Sequence, residues 1–195
     1  MTVRPPDNSA ISVVTNGRDQ VISIPHPKPP AATYLAGLFI FCWLGGWAFG
    51  EISAAYQLVT RPIGPPTAFL VFWLCAWTVG GIFAMLMLRR ILRRSVPEVI
   101  KLDASGFSYD SGVPPFKMQY YRNFCVWSQL FPQRIEQRFD RTQIESLKLR
   151  EGDTCNRLTV DAGAQRIEIG SAATDVEREW LSKVISERYS PATQR

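Results

Sequence analysis

The chain has 195 residues, a formal net charge of +5 and 46% hydrophobic residues, a length that leaves room for only one small soluble domain beside a long apolar middle. The positive charge does not point to nucleic acid, because residues 97–195 carry 14 Lys/Arg against 14 Asp/Glu and the surplus is concentrated in Arg89, Arg90, Arg93 and Arg94. Four cysteines at positions 42, 75, 125 and 155 form no CxxC pair and have no histidine at ligand spacing, so neither a disulfide framework nor a metal centre is expected. No cofactor motif occurs either.

Residues 1–30 are polar and punctuated by proline, without the apolar core of a signal peptide. Within them, two β-forming runs flank Asn16-Gly17-Arg18-Asp19, and Asn-Gly between such runs signals a β-hairpin; a polar arm without structure is the competing reading. Pro25, Pro27, Pro29 and Pro30 then form a stiff lead-in.

Residues 31–95 read as a transmembrane helical hairpin, with helices at about 32–55 and 67–88 and a proline-rich turn at 58–66. Twenty to 22 apolar residues span the ~30 Å hydrocarbon layer at ~1.5 Å per residue. Four arginines follow the second helix and Lys28 precedes the first, against Arg61 in the turn. Both termini are therefore expected in the cytoplasm under the positive-inside rule, with Arg89, Arg90, Arg93 and Arg94 as a basic cluster at the membrane surface.

Counted from residue 32, Trp43 lies roughly 16 Å deep and Trp47 about 22 Å deep, which sets Trp43 level with Trp77 and Trp47 level with Trp73. Gly46 and Gly50 share a face with the first pair, as Gly80 and Ala84 do with the second. Small residues at that spacing let helices approach closely in lipid, so Trp43, Gly46, Trp47, Gly50, Trp73, Trp77, Gly80 and Ala84 are the candidate helix-contact residues. The same count puts Glu51 roughly 28 Å from the inner start, at the outer interface, where its carboxylate would reach headgroups or Arg61.

After Pro97, short alternating runs at 98–102, 106–110, 134–140, 143–149, 157–161 and 165–169 read as strands. Thr174-Asp175-Val176-Glu177 is a capping box opening a helix. Val176, Trp180, Leu181, Val184, Ile185 and Tyr189 form its apolar stripe. An insert at 111–132 contributes Phe116, Tyr120, Tyr121, Phe124, Trp127 and Phe131. These are candidate contacts to a partner or to the membrane surface, or a cover over part of a barrel formed by the strands.

Strands in this order, closed by one amphipathic helix, resemble a pleckstrin-homology (PH) barrel. With the hairpin, the chain is similar to bacterial membrane proteins that carry a PH-like domain behind two transmembrane helices. The resemblance rests on residues 43–51 (WLGGWAFGE), 99–110 and 157–180. It implies a membrane α-helical hairpin plus an α+β domain at 96–195, PH-like and barrel-shaped, in a bacterial inner membrane. The turn at 103–106, where such domains carry basic residues for phosphoinositides, has no Lys or Arg.

The function expected is a membrane-anchored, non-catalytic interaction or scaffold module, a subunit or assembly aid of a membrane complex. Its partners would be the lipid bilayer and a protein, either a different chain or a second copy, and not nucleic acid. The alternative is a small oligomeric transporter or channel component, motivated by Glu51 and the glycine-rich helix faces. Acidic loop residues such as Asp103, Asp110 and Asp153 lack a convergent base or nucleophile in the sequence, so no enzyme is expected.

Overall fold

The computed structural model describes residues 4–60, 62, 64–116, 130–152 and 156–189. In chain order the elements are β1 (Ser12–Asn16), β2 (Asp19–Ile24), α1 (Ala31–Thr60), α2 (Pro65–Leu92), β3 (Glu98–Leu102), β4 (Gly106–Asp110), β5 (Glu136–Asp140), α3 (Arg141–Ile144), β6 (Lys148–Arg150), β7 (Arg157–Ala162), β8 (Gln165–Ile169) and α4 (Asp175–Tyr189). They divide into two compact units, one holding the strands with α3 and α4, the other the long helices.

In the first unit, β1 to β5 form an antiparallel sheet in chain order, and β6 to β8 form a second. The hairpin β1–β2 turns at Gly17, which takes φ 65°, the left-handed conformation that glycine adopts without steric cost. The N-terminal stretch is no separate arm, because β2 pairs along its length with β3, Ile24 opposite Glu98. The sheet thus joins strands that are adjacent in space and separated in sequence by the whole apolar hairpin.

The sheets do not close into a barrel, contrary to the sequence expectation. The expected strand at 143–149 is the reason. Asp140 ends β5 and starts α3, its backbone N–H donating to the Gln143 side chain at 3.1 Å. This capping turn occupies the place where β5 would have run on into a pairing with β6, which is only three residues long. What is shown is an α+β layout with two long apolar helices.

One core fills this unit. Alternating residues of β2 to β4 point inward, among them Ile22, Ile24, Ile100, Leu102, Phe107 and Tyr109. Phe107 and Phe139 are cross-strand partners whose rings stack at 4.8 Å. Leu158, Val160, Ile167 and Ile169 close the core from β7 and β8, and Leu181, Val184 and Ile185 from α4. Thr174 caps α4 reciprocally with Glu177, whose other oxygen accepts from Ser9 at 2.5 Å. On the helix stripe, Val176 is 64% exposed and Arg178 is buried in its stead.

Gly106 sits where β4 meets β5, and a Cβ there would fall 2.1 Å from the Phe139 carbonyl oxygen. Backbone cannot move aside cheaply, so Gly106→Ala is expected to cost about 2 kcal/mol, within the range for overpacked positions. Urea unfolding of the full chain in detergent measures it.

Two loops are tied by charged side chains. Asp103 accepts from Ser105 N, Ser105 Oγ and Gly106 N at 2.7–2.9 Å and pairs with Arg138 at 2.7 Å. Asp110 takes Arg134 in a bidentate pair, 2.8 and 2.5 Å, at the base of the 111–132 insert. The Ser105 hydroxyl hydrogen bond holds the Asp103 carboxyl below its ordinary range, and the Arg134 hydrogen bond does the same for Asp110. Both groups therefore add stability above the ordinary aspartate range, and this is lost as pH falls through their depressed values. The unfolding midpoint of the sheet unit is expected to be flat near neutrality and to fall on acidification; Asp103→Asn with Asp110→Asn should flatten that fall.

Candidate functional site

In the second unit, α1 and α2 run antiparallel and meet along a seam that recurs every three or four residues. On α1 the seam residues are Thr33, Gly37, Ile40, Leu44, Trp47, Glu51, Ala54 and Leu58; each is buried or half-buried. Those on α2 are Thr67, Leu70, Leu74, Trp77, Gly81, Ala84, Leu88 and Ile91, again all buried or half-buried. A 3.5-residue repeat of this kind is the geometry of left-handed helix pairs. The outer faces carry Leu35, Phe39, Phe49, Ile52, Phe69 and Phe72, between 66% and 76% exposed. Both helices are long and apolar enough to cross a membrane.

Four tryptophans cluster about the middle of this seam, Trp47 and Trp77 within it and Trp43 and Trp73 beside it. Trp47 Nε1 donates to the Trp77 carbonyl at 3.1 Å. The Trp43 and Trp77 rings lie 6.0 Å apart at 50°, and Trp73 stacks on Trp77 at 4.8 Å. The close approaches are made by two glycines that sequence reasoning passed over. A Cβ on Gly81 would fall 2.1 Å from the Trp47 ring, and one on Gly37 would fall 3.1 Å from Ile91 Cγ2. Gly46 and Gly80 are not at the contact: a Cβ on either meets nothing within 4 Å. Gly50 lies at the edge, where a Cβ would fall 4.0 Å from Trp77 Nε1, and Ala84 is in the seam.

The helix register differs from the one expected, and one cause accounts for it. α1 has 30 residues, about 45 Å at ~1.5 Å per residue, longer than the ~30 Å layer. Gly37 sits against Ile91, two residues beyond Arg89. The first turns of α1 thus overhang the apolar stretch of α2, and depths counted from residue 32 are too large by about that overhang. Trp47 consequently meets Trp77 and Gly81 rather than Trp73.

Glu51 moves with this register. It does not sit at the outer end. Its carboxyl shares a hydrogen bond with the Thr78 hydroxyl, while its second oxygen is buried and has no partner among the described residues. Thr78 is eleven residues from Thr67 and eleven from Arg89, the middle of the uncharged stretch of α2. Trp77 Nε1 beside it is likewise buried and unpartnered among the described residues.

Of the arginine cluster, Arg89, Arg93 and Arg94 are exposed, whereas Arg90 is 3% exposed and so is not part of a surface patch. In the aromatic insert, Phe116 is buried and Phe131 is 56% exposed. Both group with the helical unit and not with the sheets. Tyr120, Tyr121, Phe124 and Trp127 lie outside the described residues, as do Arg61, Cys125, Asp153 and Cys155.

The sheet unit holds a second polar constellation that the sequence did not announce. Glu98, the first residue of β3, is fully buried. One of its oxygens accepts from Ser171 Oγ at 2.5 Å and Ala172 N at 2.8 Å, the other from Tyr109 Oη at 3.1 Å and Ser171 N at 3.2 Å. From the opposite side Arg178 donates to the carbonyls of Gly170 at 2.9 Å, Ser171 at 3.1 Å and Asn156. The turn between β8 and α4 is thus held by a carboxylate on its N–H groups and a guanidinium on its carbonyls. Burial raises the Tyr109 hydroxyl well above its ordinary range, so it stays a donor. Every polar atom of the carboxylate is satisfied, which suits a structural clamp and leaves nothing free for chemistry.

No family model matches the chain, and no curated protein or solved structure is similar to it.

Proposed function

We propose that the chain is a membrane-anchored, non-catalytic interaction module. A helical hairpin crosses the bilayer and displays the two-sheet unit on its cytoplasmic side, as part or assembly aid of a larger membrane complex. The observation that carries this reading is the pairing of β2 with β3 across the hairpin. Strands that share hydrogen bonds lie on one side of a bilayer, so the chain leaves and re-enters the sheet at the same face. The folded unit is therefore fixed to the membrane by both of its connections, at residues 25–30 and 93–97. Arg89, Arg93 and Arg94 at that end favour the cytoplasmic face.

Within this reading the sheet unit is a PH-like variant in a bacterial inner membrane. Consecutive antiparallel strands in two sheets, followed by one terminal helix, support it. The hairpin occupies the place of a strand-to-strand turn. The partner is a protein, reached through the outer helix faces or through the aromatic insert, whose described ends belong with the helices.

Site-directed photocrosslinking in native membranes tests this, with the probe at Phe131 or Phe72. A discrete adduct with one protein, reproduced from both positions, is the expected result. Adducts with lipid alone, from a protein that stays monodisperse and unaccompanied in mild detergent, would exclude an interaction module. Thiol labelling of Ser9→Cys and Ser182→Cys in sealed vesicles checks the topology: both must react from the same side.

A further inference from the structure

We propose that Glu51 carries a proton, forming a neutral carboxylic acid at the centre of the helical hairpin, and that Glu51 with Thr78 constitutes a proton-binding site there. The inference rests on counting hydrogens. The Thr78 Oγ1 lies at hydrogen-bond distance from two acceptor atoms, the Glu51 carboxyl oxygen and the Leu74 carbonyl at 2.8 Å. A hydroxyl has one hydrogen to give. Either one of these contacts lacks a proton, or the second proton comes from Glu51.

The Ser and Thr hydroxyls beyond the first turn of either helix show where the threonine hydrogen goes; Thr33 and Thr67, within a first turn, have no helical carbonyl four residues back. Ser53 donates to the Phe49 carbonyl at 2.8 Å and Thr60 to the Tyr56 carbonyl at 2.9 Å, each four residues back along the helix. Thr78 stands in the same relation to Leu74, and this back-bond is the ordinary outlet for a hydroxyl in an apolar helix. With the threonine hydrogen so used, Oγ1 remains as an acceptor. The chain of bonds then runs from the Glu51 O–H to Thr78 Oγ1, and from the Thr78 O–H to the Leu74 carbonyl.

The surroundings agree. Glu51 is the sole charged residue in Ala31–Thr60, and Thr67 to Leu88 holds none. The remaining titratable side chains of these helical stretches, Tyr34, Tyr56, Cys42 and Cys75, are exposed on the outer faces, away from the seam. Among the described residues of Ala31–Thr60 and Thr67–Leu88 there is therefore no cation to balance a carboxylate within the seam. The second carboxyl oxygen is buried without a partner among the described residues. An unpaired neutral carbonyl oxygen is far cheaper to bury than half of an ionised carboxylate. Thr78 lies roughly 16 Å from either end of its uncharged stretch, so in a spanning hairpin the site is near the bilayer midplane. Acidic side chains at that depth mark proton or ion sites.

Infrared spectroscopy of the full chain in phosphatidylcholine–phosphatidylglycerol vesicles tests this. A carboxylic-acid carbonyl stretch is expected at neutral pH, absent from Glu51→Gln. That variant should keep its fold, since the glutamine amide can donate to Thr78 as the acid does. Thr78→Val keeps the carboxyl and removes its acceptor, and should move the same band to higher frequency. Should glutamine disturb the hairpin, the valine shift alone still assigns the band. If no protonated-carboxyl band is present at neutral pH, or if both variants leave it unchanged, the proposal is overturned.

Discussion

Glu98→Gln is expected to destabilise the sheet unit by about 3 kcal/mol, nearly as much as Glu98→Ala. The usual view of glutamine as a mild replacement fails here because of how the donors are divided. Each carboxylate oxygen accepts one backbone N–H, Ala172 on one and Ser171 on the other. A backbone N–H cannot turn round to accept. Whichever way the amide is set, its NH2 faces a donor, and at least one part-buried N–H loses its partner. Alanine leaves all four donors unpaired but removes the opposing NH2. Urea unfolding of the full chain in detergent gives the two costs. Amide hydrogen exchange over residues 170–173 and β3 should show protection lost there first. A glutamine variant within about 0.5 kcal/mol of the parent, the range of ordinary surface changes, would mean the carboxylate geometry is not used.

This position also shows where sequence reasoning reaches and where it stops. The run 98–102 reads correctly as a strand because Ile100 and Leu102 alternate with Val99 and Lys101. Glu98 lies on the inward face of that same alternation, yet a charge at the start of a strand reads as a solvated end. Its donors come from Ser171 and Ala172, more than 70 residues away, and nothing local marks them. Arg178 is hidden from sequence reading for the same reason: apolarity puts Val176 on the stripe, whereas Val176 is the exposed residue and Arg178 the buried one. The missed turn at Arg141–Ile144 is different. Asp140 and Gln143 have the spacing of a capping pair, so the signal was present and the alternating run after it outweighed it. The pairing of β2 with β3 is a non-local fact that no periodicity could carry.

The hairpin was legible as a hairpin, from length and apolarity, and illegible at its seam. In a soluble helix the buried face is the apolar one. Here every face is apolar, and hydrophobicity no longer separates contact from lipid. Adjacent small residues then become indistinguishable: Gly45 beside Gly46, and Gly80 beside Gly81. The 3.5-residue spacing through Trp77, Gly81, Ala84 and Leu88 does single out Gly81. Glu51, Trp47 and Leu44 on α1 have the same spacing, so the seam could have been found by testing that period and not by face-sharing with tryptophan. Depth was misread because the two helices are unequal in where they start, and the overhang of α1 is fixed by packing of Gly37 on Ile91.

Gly81→Ala should therefore open the hairpin while Gly80→Ala leaves it intact. A methyl at position 81 would overlap the Trp47 ring, at 2.1 Å from two of its carbons, whereas position 80 offers nothing within 4 Å. To accept the methyl, the indole must swing out, and its hydrogen bond to the Trp77 carbonyl goes with it. Overpacking of this kind costs about 1–3 kcal/mol, with about 1 kcal/mol more for the lost hydrogen bond. Gly80→Ala, on the outer face of the same helix turn, should change stability by less than about 0.5 kcal/mol. The two substitutions add the same methyl to neighbouring residues, so helix propensity and hydrophobicity cancel between them. Cysteine crosslinking between Gly37→Cys and Ile91→Cys reads the pairing directly: yield should fall with the alanine at 81 and hold with the alanine at 80. Equal effects at both positions would show that α1 and α2 do not meet in this register. Trp47→Phe should relieve the Gly81→Ala defect in part, because a smaller ring leaves room for the methyl, and that rescue would tie the cost to this one contact.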